Sequence, residues 1–319
     1  MAVTAPARTS LAVLPTPLVT APRLAEALGL SASLLIKRDD LTGFAVAGNK
    51  ARQLEFLIAE AATQDADVLV TGGTIGSNFV PAAAAAAKFA GLGCVVVLAG
   101  DAVDRATHPN LAAATAWGAQ LRWTRRADRT SVDVMLPKVA AVLAGEGARP
   151  YLVPRGGANP TGALGYRLAI DEVVGQLAGR TPTVVVPVGA GGTLAGLVAG
   201  VVAHGRPFRV VGASVSRPVD DMTVRVLDLA QQVARLRGDE PPQARDVHLL
   251  DARGPGHGTA SAAGDAAAAV ALRCAGLVLD PVYTAKAMAA LPSAVPEGHA
   301  LFWHTGGLLD AVAGLLDQL

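Results

Sequence analysis

The chain of 319 residues is 51% apolar and only 17% charged, enough to build a core for one large α/β domain or two domains sharing a cleft. Its formal net charge of +1 gives no electrostatic footprint for nucleic acid or an anionic membrane, so neither is expected as a partner. The first 22 residues lack the apolar core of a signal peptide and are broken by Pro15, Pro17 and Pro22, and no alanine-rich run is long enough to cross a bilayer, so the protein is expected in the cytoplasm.

In chain order, a helical pattern over Lys50–Ala62 precedes a strand at Ala66–Thr71, a helix at Pro81–Phe89 and a strand at Cys94–Ala99. A helix at Leu111–Trp117 follows. The basic stretch Arg122, Trp123, Arg125, Arg126 and Arg129 reads as a solvated turn. A boundary falls near residue 150, after the GEGARP stretch. Beyond it come a helix at Gly162–Leu177, a strand at Thr183–Val188, a helix at Leu194–Val202 and strands at Arg209–Ser214 and Ala300–His304. Strand–helix alternation predicts a parallel, helix-covered sheet with its ligand at the carboxyl ends of the strands. Cys94 and Cys274 lie far apart in apolar stretches and read as reduced core thiols; no metal site is expected.

Three loops carry chemistry. GFAVAGNKARQLEF (Gly43–Phe56) imitates a nucleotide P-loop, but Asn49 separates Gly48 from Lys50 and Ala51 replaces the metal-binding hydroxyl. Lys50 instead opens a helix, where the positive helix end and desolvation both disfavour its charged form; taken alone it would read as a surface lysine. VLVTGGTIGSN (Val68–Asn78) runs from strand to glycine turn to Ser77 and Asn78, which alone would read as helix caps. VVVPVGAGGTLAGL (Val184–Leu197) sends a strand into Gly189, Ala190, Gly191, Gly192 and Thr193 at a helix start, a cradle for phosphate with Thr193 as donor and cap. A dinucleotide fits poorly, since Leu194 stands where a third glycine is needed; a purely structural turn is the other reading. An amine, a phosphate cradle and a polar strand-end turn are together what pyridoxal 5'-phosphate (PLP) requires.

The residues resemble the fold-type II PLP enzymes grouped as the D-cysteine desulfhydrase and 1-aminocyclopropane-1-carboxylate (ACC) deaminase family. The likeness runs through LPTPL (Leu14–Leu18), KRDDLTG (Lys37–Gly43), GNKARQLEF, GSN and GGANPTGALGY (Gly156–Tyr166). It continues through GAGGTLAGL, GPGHG (Gly254–Gly258), DPVYTAKAM (Asp280–Met288) and HTGG (His304–Gly307). It implies a tryptophan synthase β-like α/β fold of two open, helix-covered, mainly parallel sheets with the cofactor between them. Residues 1–50 and 154–319 would form the larger PLP domain, and 51–153 a smaller domain closing over it, in a homodimer. Lys50 would hold the cofactor as an imine, Asn78 its ring oxygen, Gly189–Thr193 its phosphate and Thr284 its pyridine nitrogen, with Thr305 nearby. Lys50, Tyr283, Ser77 and His257 would be catalytic. Ser77, Asn78, Phe79, Gly157, His257 and Tyr283 would meet the substrate, a small amino acid. Without its motif Tyr283 reads as a core tyrosine, and His304 reads as structural.

The resemblance implies α,β-elimination to a keto acid and ammonia. The neutral Thr284, where ACC deaminases carry an acid, favours loss of a β-leaving group over ring opening. Gly76, Phe79 and His257 depart from the family's glutamine, histidine and second tyrosine. His257 either titrates near neutrality as an acid/base or is a tolerated polar substitution. β-Replacement, isomerisation, ACC-type ring opening and a non-catalytic PLP sensor or carrier stand as alternatives.

Overall fold

The computed structural model describes residues 6–31, 33–104, 106 and 108–316. The chain begins with β1 (Leu18–Thr20), α1 (Pro22–Ala27), β2 (Ser33–Arg38) and α2 (Lys50–Thr63). It continues with β3 (Val68–Gly73), α3 (Phe79–Phe89), β4 (Gly93–Leu98), α4 (Pro109–Ala116), β5 (Gln120–Trp123), α5 (Thr130–Gly145) and β6 (Pro150–Leu152). Then follow α6 (Pro160–Leu177), β7 (Thr183–Val188), α7 (Gly192–Ala203), β8 (Arg209–Ser214), α8 (Val219–Arg237) and β9 (His248–Asp251). The last elements are α9 (Ala262–Ala275), α10 (Thr284–Ala289), α11 (Leu291–Ala294), β10 (His299–His304) and α12 (Leu308–Leu316).

The strands form two sheets. One has the order β1-β2-β10-β7-β8-β9 and is parallel except for β1; the other has the order β5-β4-β3-β6 and is parallel throughout. Parallel strands covered on both faces read as continuous apolar runs, and Val184, Val185 and Val186 in β7 and Val95, Val96 and Val97 in β4 are buried accordingly. In the six-stranded sheet α6, α7 and α8 fill one face, while α1, α9 and α10 fill the other. In the four-stranded sheet α2, α3 and α4 cover one face and α5 the other. Among the described residues no helix is long and apolar enough to cross a membrane.

Helix α2 joins the two layers, because its apolar side packs on the small sheet while Phe56 reaches the core of the large one. Its approach to α6 depends on Gly165, where a Cβ would lie 2.2 Å from the Arg52 carbonyl oxygen. Gly196 serves α7 in the same way, 2.2 Å from the Ala163 carbonyl. Side chains at these two positions would push apart the helices that begin at Lys50 and Gly192.

The strands at β7 and β8 coincide with the sequence reading, and those at β3, β4 and β10 shift by one or two residues. Cys274 departs from expectation: it is half-buried on α9, whereas Cys94 is buried and its thiol is pushed up to about 12 by desolvation.

Candidate active site

A cleft opens at the carboxyl ends of the parallel strands, as expected for open α/β sheets. Gly73 closes β3 there, Val188 closes β7, Ser216 follows β8 and Thr305 follows β10. Lys50, the first residue of α2, enters the cleft half-buried, and its side chain makes no hydrogen bond or ion pair. Protein surrounds its amine on the cleft floor, and this desolvation lowers its pKa to about 8. The preceding residue fixes the helix start: Asn49 donates its backbone N–H to the Thr305 carbonyl (2.9 Å) and Nδ2 to Thr193 Oγ1 (3.0 Å).

The glycine loop after β7 lies opposite. Gly191 is the N-cap of α7 with φ +99°, a conformation that favours glycine. Thr193 is therefore not the cap, as the sequence suggested; it sits in the first turn and accepts from Asn49. Gly189 lies beneath the Tyr283 ring, and a Cβ there would come within 2.8 Å of Tyr283 Cε1. At the start of α3 the Asn78 side chain makes no capping bond, which leaves its amide, with Ser77, free on the cleft wall.

Tyr283 meets His257 edge to face, with ring centroids 6.0 Å apart. Burial first, then the negative charges of Asp280 and Asp310, push the phenol up, so it stays protonated. His257 does not titrate near neutrality. Burial, Arg129 and Lys286 lower it from the ordinary 6.5 to about 4, and the imidazole is neutral at pH 7. Between pH 6.5 and about 4 the unfolded chain takes up a proton there that the folded chain refuses. Stability is therefore lost as pH falls through this window. Thermal melts at pH 7 and pH 5 are expected to differ less for His257→Gln than for the unaltered protein.

Two expected residues, Thr284 and Gly157, do not line the cleft, whereas Phe79 does. Thr284 is fully buried behind the wall, where its hydroxyl donates to Asp280 Oδ2 (2.6 Å) and accepts from the Asp280 N–H (2.7 Å). Gly157 also lies outside the lining; its φ is +67°, and a Cβ would strike Phe79 Cε2 at 2.6 Å. Phe79 is 1% exposed, so its ring belongs chiefly to the core beneath the cleft. His304 is buried and its Nδ1 accepts from the Gly306 N–H.

The sequence reading also missed several arginines. Arg129 was assigned to a solvated turn, yet it lines the cleft and donates Nη2 to the Ser216 carbonyl (2.6 Å). Arg155, Arg217 and Arg225 line it as well. No local motif announces them; they come from four separate loops and helices that only the fold brings together. Among the described residues no group of three or more His, Cys, Asp or Glu could hold a metal ion.

The family described as pyridoxal-phosphate dependent enzyme matches residues 9–306. The chain belongs to this family. D-cysteine desulfhydrase of Klebsiella pneumoniae (strain 342) is 38% identical over 306 residues, covering 92% of each protein. The crystal structure of an ACC deaminase homologue superposes with a TM-score of 0.88 at 33% identity, covering 98% of this chain and 96% of that one. A fungal L-serine ammonia-lyase from Rhizomucor miehei shares the fold, with a TM-score of 0.69 at 18% identity over 97% of this chain and 98% of its own. The two-sheet architecture is that of the fold-type II PLP enzymes.

The cleft residues fit PLP. An unpaired, desolvated amine suits the aldehyde. The backbone amides that open α7 suit a phosphate, because helix N-termini favour anions and Cβ-free glycines let the phosphate approach the backbone. The uncapped Asn78 amide can donate to a ring oxygen.

Proposed function

We propose that this PLP-dependent enzyme eliminates the β-substituent of a small amino acid, releasing a keto acid and ammonia, as a lyase or deaminase of the D-cysteine desulfhydrase type. The observation that carries the reading is the Lys50 amine, unpaired in the cleft and lowered to about 8. Such an amine is both nucleophile and base near neutral pH. The 38% identity to a D-cysteine desulfhydrase supports the reaction type.

When bound, PLP supplies an electron sink for the negative charge that develops at the substrate Cα. Lys50 anchors the cofactor, and its Nζ then takes the Cα proton. The amides of Gly189, Ala190, Gly191 and Gly192, with Thr193, hold the phosphate; Asn78 holds the ring oxygen, and Thr305 closes the wall behind Asn49. Ser77 and Asn78 bind the substrate. Tyr283, kept as a phenol, donates its proton toward the departing group, and the neutral His257 ring orients it. Residues 51–153 act as the smaller domain closing over 1–50 and 154–319, and the protein works as a cytoplasmic homodimer.

The test is product analysis with D- and L-cysteine, β-chloroalanine and ACC. Pyruvate and ammonia are expected in equal amounts from the β-substituted substrates, with kcat/KM about 100-fold or more above that for ACC. Substrate consumed without ammonia would overturn the proposal in favour of replacement or isomerisation.

A further inference from the structure

Two helices from different layers meet through one pair of polar side chains. Asn110 lies in the first turn of α4, which packs with α3 on the four-stranded sheet, and it is 1% exposed. Asp310 lies in the first turn of α12, which follows β10 of the six-stranded sheet. Asn110 Nδ2 donates to Asp310 Oδ1 (2.9 Å). The remaining oxygen of each group, Asn110 Oδ1 and Asp310 Oδ2, is buried without a hydrogen-bond partner. Both are acceptors as long as Asp310 is ionised, and buried acceptors left unmet are costly. A proton on Asp310 Oδ2 makes that oxygen a donor. Planar amide and carboxyl groups joined by one bond can then close a second, which satisfies both orphans at once.

The surroundings favour that proton. Burial first, then the charge of Asp280, raise Asp310 to about 6. Among the described residues neither α12 nor α4 carries another charged side chain, and the turn at 74–78 reads TIGSN. The titratable groups on the adjoining segments are Tyr283, whose phenol the Asp310 charge pushes up, and His108 at the N-cap of α4. The ordinary carboxyl value of 3.8 lies below the folded one, so the folded chain keeps a proton that the unfolded chain has released. The second bond therefore adds stability that is fully present below pH 3.8 and is lost as pH rises through about 6.

The pair stands against the cleft wall. A Cβ on Gly76 would lie 3.9 Å from Asp310 Oδ2, and Gly76 immediately precedes Ser77 and Asn78. Helix α3 begins next, at Phe79, and packs on α4. On the other side α12 starts three residues beyond Thr305, which lines the cleft. The contact thus links the wall that offers Ser77 and Asn78 to the wall that carries Thr305. We propose that Asn110 and Asp310 are positioning residues that share a proton, clasping α4 to α12 in acid and loosening toward alkaline pH, so that Ser77 and Asn78 hold the substrate best with the proton in place. The effect on substrate rests on the elimination reading above; the clasp itself does not.

The experiment follows amide hydrogen exchange of the holoenzyme over residues 74–78, α4 and α12 from pH 5 to pH 8, each rate referred to the intrinsic rate at that pH. The unaltered protein is compared with Asp310→Asn, which can make both bonds without a proton, and with Asp310→Ala and Asn110→Ala, which can make neither. The unaltered protein is expected to match Asp310→Asn at pH 5 and to lose about fivefold in protection by pH 8, the worth of one net hydrogen bond. Asp310→Asn should stay protected throughout, the two alanine variants should be less protected at every pH, and His108→Gln should keep the fall. On β-chloroalanine the KM of the unaltered protein, relative to that of Asp310→Asn, should rise about fivefold over the same range while the relative kcat stays constant. Protection that does not change with pH, or that falls equally in Asp310→Asn, would overturn the inference. Loss of the fall in His108→Gln would assign the titration to that ring and overturn it too. A constant relative KM would strike out the positioning role. A pH-dependent clasp with no keto acid from any β-substituted substrate would sink the elimination reading and keep the pair.

Discussion

Lys50→Ala is expected to lower turnover by about 10³-fold or more, because one side chain supplies both the cofactor anchor and the base for the Cα proton. The chain should still fold. The Lys50 side chain makes no hydrogen bond or ion pair, and its removal relieves the desolvation that depresses its pKa. The visible absorption of the protein-bound cofactor should disappear, and borohydride should no longer fix the cofactor to the peptide that begins α2. The pKa adds a pH signature. Near pH 7 about a tenth of a group lowered to about 8 is neutral, against well under about a thousandth of an ordinary lysine. Cofactor capture by the stripped protein should therefore rise about tenfold per pH unit up to roughly pH 7 and level off above 8. Retention of turnover in Lys50→Ala would move the chemistry to another amine.

What could be read in the sequence was what is written locally. After their first residues the central strands β7 and β8 are unbroken buried runs, mostly valine and small residues, so their limits stand in the sequence. The edge strands do not announce themselves: β5 has four residues of alternating exposure and β6 only three, starting at Pro150. Strand β2 was hidden by Lys37, a charge that reads as surface but is fully buried on partners in α6. The site follows the same division. Lys50, Asn78 and Gly189–Thr193 belong to strand-end or glycine-turn motifs of a few residues each, and the cleft gathers them. Arg129 and Arg217 are 88 positions apart, and nothing around either points to the other until both face one cavity. Thr284 shows the opposite case, a local motif that is intact and whose hydroxyl bonds Asp280 in the fold.

The largest stability effect is expected at Asp39, in the network directly beneath α2. Its Oδ1 accepts from Thr16 Oγ1 (2.7 Å) and Arg52 Nη2 (2.9 Å), and its Oδ2 from Arg52 Nε (2.9 Å), Tyr166 Oη (2.6 Å) and Trp303 Nε1 (2.8 Å). Glu172 adds a second carboxylate that meets both Arg52 and Lys37. Burial alone would push Asp39 up, but the Arg52 charge and the converging donors outweigh it and hold the carboxyl below its ordinary value. Asp39→Ala leaves the buried Arg52 guanidinium with Glu172 as its one carboxylate, beside an orphaned Tyr166 hydroxyl and Trp303 N–H, a loss of about 3–5 kcal/mol. Urea titration should register it as a lower midpoint with an unchanged slope. Because the folded pKa of Asp39 is depressed, the carboxylate's contribution is fully present above pH 4 and fades as acid takes the pH below the ordinary value of 3.8. The gap between the two proteins should narrow only there. Arg52 lies two residues beyond Lys50, so the same substitution frees the first turn of α2. Cofactor affinity should fall even under conditions where the variant remains folded. A stable variant with unaltered affinity would mean that Asn49, through Thr305 and Thr193, positions Lys50 without help from the network below.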